Sequence, residues 1–206
     1  METVKYLLVA LGSYLLGSVS LSIYLSKKMY GADVRSKGSG NAGATNMARV
    51  YGMMAGVLTL GADVLKAVAA MLGGYLLLGD VGLSLGGICC IVGHCFPVFH
   101  NFKGGKGVSV GGAISVMIDW RVGLLVVGLF LLMAVLSKKV SLGSICGALA
   151  AGIGPLIFGL STPRIVLGIV AMLVVILRHT ENIRRLVKGT EPDFKPAKTK
   201  AKTQGE

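Results

Sequence analysis

Residues 121–137 read RVGLLVVGLFLLMAVLS, and this stretch decides the class of fold because Arg121 is its single charged residue. A helix needs about 20 mainly apolar residues to cross a membrane, and this run approaches that length with its flanks. Similar apolar runs occur along the rest of the chain, at 4–26, 54–78, 83–99, 108–118, 140–160 and 163–178. We therefore predict an all-α integral membrane protein with about seven transmembrane helices, and five or six helices are the alternatives.

The composition supports this prediction. Hydrophobic residues make up 53% of the 206 positions and charged residues only 15%, with a mean hydropathy of +0.75. An ordinary soluble domain has about 25% charged residues, and a soluble protein of this size could not bury so much apolar surface. The composition excludes a disordered chain, a nucleic-acid-binding domain with a charged surface, and most soluble enzymes.

The distribution of positive charge predicts the orientation. With seven helices, 17 of the 21 Lys and Arg residues fall on one side, three fall on the other, and Lys66 lies within a helix. Because cytoplasmic loops carry the excess of Lys and Arg, we expect the N-terminus outside and the C-terminus in the cytoplasm. The chain would be integral to the cell membrane, with its long polar loops facing the cytoplasm. We divide it into a transmembrane domain, 1–191, and a basic, disordered tail, 192–206, suited to anionic lipid.

The first long polar segment is glycine-rich. Residues 38–46 read GSGNAGATN, and Arg49 follows. The segment contains G-x-G-x-x-G, but no strand precedes it, so a dinucleotide-binding fold is excluded. Exposed backbone N–H groups, neutral hydrogen-bonding side chains and an arginine still suit a phosphate group. A flexible polar turn is the alternative interpretation.

The second polar segment carries two lysines among glycines. Residues 103–107 read KGGKG. A P-loop needs Gly at position 100, which is His, and Ser or Thr after Lys106, which is Gly107. The segment nevertheless suits an anion, and the alternative is a positively charged membrane anchor.

Other polar residues lie within or beside the apolar runs. Asp63 and Lys66 are three residues apart on one helical face, which indicates either a functional site in the membrane or an internal ion pair. Ser141 begins a helix, as a site residue or as a simple cap. His179 and Asn182 share a face at the end of the last helix, where a histidine can also serve only as a partner of the helix dipole.

Taken in order, these segments resemble a known family, the bacterial acyl-phosphate:glycerol-3-phosphate acyltransferases. The resemblance runs from about residue 12 to 191. It rests on SGNAGATNMAR at 39–49, GHCFPVF at 93–99 with FKGGKGV at 102–108, VSLGS at 140–144, and HTENIRRLVKGTE at 179–191. One departure is Ala67, since the family often has Gly after the lysine that corresponds to Lys66.

The resemblance implies a seven-helix enzyme with a cytoplasmic active site. It would transfer a fatty acyl group from acyl phosphate to the sn-1 hydroxyl of glycerol 3-phosphate, giving lysophosphatidic acid and phosphate, the first step of phospholipid synthesis. The catalytic residues implied by the resemblance are His179, Asn182, Ser141 and Lys106. The implied substrate-binding residues are Ser39, Gly40, Asn41, Gly43, Thr45, Asn46, Arg49, Lys103, Gly104 and Gly105.

Further expectations concern the reaction and the partners. Acyl phosphate carries a good leaving group, so we expect His179 to bind substrate first and to act as a base second, with no metal and no cofactor. The residues five positions after the three histidines are Phe99, Gly105 and Arg184, not the Asp of acyl-CoA-dependent glycerophosphate acyltransferases. The partners would be acyl phosphate, glycerol 3-phosphate and membrane lipid, with no nucleic acid, and a monomer is compatible with the sequence. The alternative function is a transporter of a phosphorylated solute.

Overall fold

The structure is a computed structural model that describes residues 1–197. Within that range the chain is helical and contains no strand. The helices are α1 (Glu2–Ser18), α2 (Leu21–Tyr30), α3 (Ala44–Tyr51), α4 (Met53–Cys95), α5 (Val108–Ile118), α6 (Trp120–Ser137), α7 (Val140–Ile157), α8 (Thr162–Arg178) and α9 (Thr180–Val187). The predicted apolar runs correspond to these helices, and the predicted all-α architecture is confirmed.

Small residues face the interior and large apolar residues face outward, as in a membrane protein. The buried positions of α7 are almost all Gly, Ala or Ser, whereas Ile157 is 65% exposed. On α6, Val135 and Leu136 are more than 70% exposed. Lipid is as apolar as leucine, so helices in a membrane gain more from close packing of small residues than from hiding large ones.

Helix α4 folds back on itself at Leu78 and Gly79. Both residues have non-helical backbone angles, and Gly79 has φ +59°, which favours glycine. The two arms, 53–77 and 80–95, touch through their backbones, because a Cβ atom on Gly74 would overlap the carbonyl of Gly82. This contact brings the polar residues of both arms to the same end of the hairpin.

Helices α1, α3, α5 and α8 pack against the hairpin, and α6 and α7 pack in turn on α5 and α8. The main hydrophobic core lies between α4, α5, α6, α7 and α8. Helix α8 ends at Arg178, and the chain turns by 61° into α9. The break between α1 and α2 leaves the carbonyl of Val19 as an acceptor for the Lys66 ammonium, at 2.8 Å.

Four helical segments are long and apolar enough to cross a membrane, and a fifth results if the bent pair α8–α9 counts as one. One of the four, Met53–His100, includes the folded hairpin, and α5 has only 11 residues. The membrane-type architecture agrees with the sequence, while the number of seven crossings and their orientation stay predictions.

The chain after α9 crosses the end of the bundle. The backbone N–H of Phe194 donates to the carbonyl of Lys138, and that of Ala197 donates to the carbonyl of Ala48. Asp193 also pairs with Lys139 at 3.0 Å. Residues 192–197 of the predicted tail therefore link the start of α7 to α3, and the rest of that tail lies outside the described residues.

Candidate active site

One cavity of about 980 Å³ opens at the end of the bundle where α3, α8 and α9 meet. Its polar end is bordered by Arg49, Lys106, His179, Arg185 and Glu191. Its apolar wall is formed by α5 and α6, through Val116, Met117, Val126, Val127, Phe130 and Leu131. The cavity therefore joins a cationic pocket to a hydrocarbon-like groove.

The first loop, residues 37–46, is organised by the side chain of Asn46. Its Oδ1 accepts the backbone N–H of Ser39 at 2.8 Å, and its Nδ2 donates to the carbonyls of Val34, Lys37 and Asn41 at 2.9–3.1 Å. Asn46 is only 1% exposed. Its hydrogen-bonding groups are thus engaged with the backbone, so it shapes the loop.

The first loop leads into the N-terminal end of α3. Gly43 precedes the helix, and Gly43, Ala44 and Thr45 line the cavity. Backbone N–H groups in the first turn of a helix lack intrahelical acceptors and favour anions. Arg49 follows one turn later and makes no side-chain hydrogen bond or ion pair with residues 1–197. Arg49 and the start of α3 therefore give this wall of the cavity a positive charge that no carboxylate of residues 1–197 pairs with.

The second loop, residues 103–107, is held by groups from elsewhere in the chain. Gly104 and Gly105 donate their backbone N–H groups to the carbonyls of Cys95 and His94, at 3.2 and 3.1 Å. Arg35 donates to the carbonyl of Lys103 at 2.9 Å, and Arg178 donates to that of Gly105 at 3.2 Å. These contacts fix the position from which the Lys106 side chain enters the cavity.

Lys106 is joined to α9 by a chain of hydrogen bonds. Its ammonium donates to Asn182 Oδ1 at 2.5 Å, and Asn182 Nδ2 donates to Glu191 Oε1 at 2.7 Å. Arg185 holds the other carboxylate oxygen of Glu191 at 2.7 Å. Burial and the nearby Arg185 charge lower the pKa of Lys106 from its ordinary value. A bound anion would favour the charged ammonium and so would oppose this lowering of the Lys106 pKa.

His179 and Ser141 complete the polar end. His179 Nδ1 lies 2.8 Å from the carbonyl of Val175, which can only accept, so Nδ1 carries a proton in the neutral ring and Nε2 keeps its lone pair. The Ser141 hydroxyl is buried and makes no hydrogen bond with residues 1–197. It lies near Glu191, where burial acts to raise the pKa of the carboxyl and the groups of Ser141, Arg185 and Asn182 more than offset it, so that the pKa is lowered.

Most of the predicted site residues line this one cavity. They are Ser39, Asn41, Gly43, Thr45, Asn46, Arg49, Lys106, Ser141, His179 and Asn182. The other predicted residues, Gly40, Lys103, Gly104 and Gly105, belong to the same two loops but are not among the residues that line it. The structure therefore brings the four motifs together, and the roles of the individual residues remain to be proposed.

Three ionisable residues at the cavity lie outside the predicted set. Arg185 and Glu191 border its polar end, and the imidazole of His94 lines it from beneath the second loop. All three occur in the motif segments, but no spacing rule distinguishes them from neighbouring surface charges. Asp63 and Lys66 form the internal ion pair that was one of the two interpretations, at 2.8 Å. Among residues 1–197, no cluster of three or more His, Cys, Asp or Glu side chains is arranged to hold a metal ion.

Comparison with known proteins identifies relatives of this chain. The sequence profile of a family described as glycerol-3-phosphate acyltransferase matches residues 7–189. A glycerol-3-phosphate acyltransferase of Prochlorococcus marinus (strain NATL1A) is 40% identical over 194 residues, which cover 90% of this chain and 96% of the relative. One of Thermoanaerobacter pseudethanolicus is 38% identical over 184 residues, which cover 89% and 93%.

Two solved structures are similar over nearly the whole chain. Both are crystal structures of PlsY (YgiH), an integral membrane glycerol 3-phosphate acyltransferase. The glycerol 3-phosphate form is 35% identical with a TM-score of 0.81, and it covers 92% of this chain and 96% of that one. The lysophosphatidic acid form is 33% identical with a TM-score of 0.85, with coverage of 92% and 95%.

Proposed function

Because the chain belongs to the glycerol-3-phosphate acyltransferase family, we propose that it transfers a fatty acyl group from acyl phosphate to the sn-1 hydroxyl of glycerol 3-phosphate. The match to this family confirms the resemblance drawn from the four motifs. The products would be lysophosphatidic acid and inorganic phosphate, in the first step of phospholipid synthesis. The enzyme would act in the cell membrane with its site facing the cytoplasm.

The single observation that carries this proposal is the joining of two environments in one cavity. The polar end holds Arg49, Lys106 and Arg185 against one carboxylate, Glu191, and so carries an excess of positive charge. The groove between α5 and α6 is apolar, with Val116 and Phe130 among its lining. A substrate pair that carries two phosphates and one acyl chain matches both parts at once.

The two phosphates are assigned to different parts of the polar end. The first loop and the start of α3, with Asn41, Gly43 and Thr45, would hold the phosphate of the acyl donor through backbone N–H groups. Glycerol 3-phosphate would lie between Ser39, Arg49, Lys106, Ser141, His179 and Asn182. Within residues 1–197 neither the Ser141 hydroxyl nor the Arg49 guanidinium meets the distance and angle criteria for a hydrogen bond with another group, which supports this assignment because both line the cavity. In this arrangement Gly40, Lys103, Gly104 and Gly105 support the loops that make the contacts.

The chemistry requires placement more than a strong base. The hydroxyl oxygen of glycerol 3-phosphate attacks the acyl carbonyl carbon, the bond from that carbon to the phosphate oxygen breaks, and phosphate leaves. The hydroxyl proton ends on the departing phosphate, either directly or by way of His179 Nε2. Lys106 and the backbone N–H groups would stabilise the charge that grows on the leaving group. No metal or cofactor is needed for this sequence of steps.

Acyl phosphate is favoured over acyl-CoA as the donor. The histidines of this chain lack the Asp five positions later that acyl-CoA-dependent enzymes carry. The polar end of the cavity is formed by short loops and by α9, and it suits a phosphate in direct contact with the acyl carbonyl. A donor whose leaving group is a phosphate uses the cations at that position most directly.

The test is a parallel assay of two donors. Purified protein in detergent receives glycerol 3-phosphate with palmitoyl phosphate in one tube and with palmitoyl-CoA in another. We expect phosphate and lysophosphatidic acid to appear together in the first tube only. Product from palmitoyl-CoA alone would contradict the donor assignment. Silence in both tubes, from protein that binds glycerol 3-phosphate and accumulates it in proteoliposomes, would favour the transporter.

A further inference from the structure

A buried cluster of ionisable side chains links the two arms of α4. Asp63 and Lys66 come from the first arm, and His94 comes from the end of the second. Asp63 Oδ1 lies 2.8 Å from the Lys66 ammonium and 3.3 Å from His94 Nδ1, and the ammonium lies 3.1 Å from the same ring nitrogen. Their residues are 3%, 8% and 6% exposed. The three groups therefore fix one another.

The His94 ring lies directly under the second loop. The carbonyl of His94 accepts the N–H of Gly105, and the neighbouring carbonyl of Cys95 accepts that of Gly104. A Cβ atom on Gly105 would overlap the imidazole itself, at Nε2, Cε1 and Cδ2. The backbone of the loop thus rests on the face and edge of this ring, one residue before Lys106.

Stabilisation of the bundle alone does not account for such a cluster. One carboxylate oxygen, Asp63 Oδ2, is buried without a hydrogen-bond partner among residues 1–197. A buried ion pair often stabilises a protein less than apolar residues of the same volume would. By contrast, the pair Asp80–Arg164 at the fold of the α4 hairpin is about one-third exposed, and neither residue lines the cavity. It provides a natural control for an ion pair that joins helices.

We propose that Asp63 and Lys66 are positioning residues, which hold the His94 ring so that this ring sets the position of the second loop and of Lys106. The proposal rests on the proposed function, because Lys106 receives its role there. The cluster is a support that lies beneath the anion site and does not touch the substrate through Asp63 or Lys66.

The sharpest test uses the contact between Gly105 and the ring. Gly105→Ala should lower kcat/KM about tenfold or more, because the new methyl group pushes the loop off His94. In a His94→Ala background the obstacle is gone, so Gly105→Ala should change kcat/KM by less than about twofold. Gly104→Ala is the matched control, since its Cβ would overlap the backbone carbonyl of His94, which the side-chain substitution leaves in place. Its effect should be equal in both backgrounds.

A second measurement does not depend on activity. Asp63→Asn and Lys66→Met should speed the hydrogen exchange of peptides that contain Gly104 and Gly105. The hydrogen bonds from these two N–H groups to the carbonyls at the end of α4 should open more often in the variants. Asp80→Asn should leave the exchange of this loop unchanged, although it also removes an ion pair. The comparison separates loosening of the loop from a general loss of stability.

The outcomes are distinct. Equal effects of Gly105→Ala in the two backgrounds would overturn the proposal, and so would cluster variants with a lowered melting temperature but normal loop exchange and kinetics. If the wild-type protein formed no lysophosphatidic acid, the proposed function would fail, while faster loop exchange in Asp63→Asn would still support the positioning role of Asp63 and Lys66. The suppression of Gly105→Ala by His94→Ala, together with faster loop exchange, is the result we expect.

Discussion

The two glycine-rich loops at the polar end of the cavity are held in place in opposite ways. The first loop is organised from within, by a single side chain, Asn46, that binds three backbone groups of the loop and the carbonyl of Val34 just before it. The second loop is held from outside, by Arg35, Arg178 and the last carbonyls of α4. One loop therefore carries its geometry in a short stretch of sequence, and the other depends on the packing of distant helices. Five predictions test this difference, from the largest expected effect to the smallest.

Removing either of the two cavity cations, Arg49 after the first loop or Lys106 in the second, should have the largest effect. Arg49→Ala and Lys106→Ala should each lower kcat/KM by about 100-fold or more, because each removes a charge-assisted contact to phosphate in a water-poor site. The measurement is lysophosphatidic acid formation by purified, folded protein. Lys188→Ala removes an exposed cation that does not line the cavity, and it should keep the wild-type rate. A wild-type rate in either cavity variant would contradict the assignment of Arg49 and Lys106 to phosphate binding.

Loss of the internal organiser should come next. Asn46→Ala should lower kcat/KM about 10- to 100-fold and reduce the melting temperature, because four backbone groups lose their partner in a buried position. Ser36→Ala is the control, since among residues 1–197 that exposed hydroxyl bonds only to the carbonyl of Asp33. If Asn46→Ala behaves like Ser36→Ala in both measurements, the first loop does not depend on its own side chain.

The pH dependence distinguishes the two cations. Burial and Arg185 lower the pKa of Lys106, so this ammonium loses its proton at lower pH than an exposed lysine would. Activity should fall as pH rises through that lowered pKa, whereas Arg49 stays charged. In Lys106→Arg the maximal rate should drop, but the alkaline fall should move to higher pH. Superimposable alkaline limbs in the two proteins would assign the titration to another group.

Weakening the external supports one at a time should have a small effect. Arg35→Gln and Arg178→Gln should each lower kcat/KM about two- to fivefold, because the remaining contacts still hold the second loop. The double variant should lose more than the product of the two single effects. Strict additivity would show that the two arginines act on separate features.

Removal of divalent metal should have no effect. In the proposed site the anions are bound by backbone N–H groups of the first loop, by Lys106 and by Arg49, so EDTA should leave the rate unchanged. A loss of activity that magnesium or another divalent ion restores would overturn this part of the mechanism.

The contrast between the loops also explains how far the sequence could be interpreted. Apolar runs predicted the helices well, and α5 begins and ends at the predicted residues, 108 and 118. The first loop could be identified as one unit because its glycines and its Asn46 lie within ten residues. The supports of the second loop could not, since Arg35 and Arg178 are more than 65 residues from their acceptors. Spacing rules describe neighbours in sequence, and the contact of His94 with Asp63 and Lys66 exists only after the α4 hairpin has folded.

The extended segment after α9 shows the same limit. A polar, Lys-rich composition predicts a disordered tail, but Phe194 and Ala197 bond to the backbones of Lys138 and Ala48. Those hydrogen bonds join main-chain groups, so no pattern of side chains in the sequence predicts them.

The length of α8 has a consequence for the membrane itself. Arg164 binds the carbonyl of Ile118 at one end of this helix, and Arg178 binds that of Gly105 at the other. Fourteen helical residues span about 21 Å, which is less than the roughly 30 Å thickness of a hydrocarbon core. We therefore expect the polar end of the cavity to lie below the level of the lipid headgroups. Each methylene group lifted into water costs about 0.8 kcal/mol, so at this depth the soluble substrate would reach the acyl carbonyl while the acyl chain stays in the hydrocarbon. The rate should accordingly follow the mole fraction of acyl phosphate in the bilayer, as in surface-dilution kinetics, and not its bulk concentration.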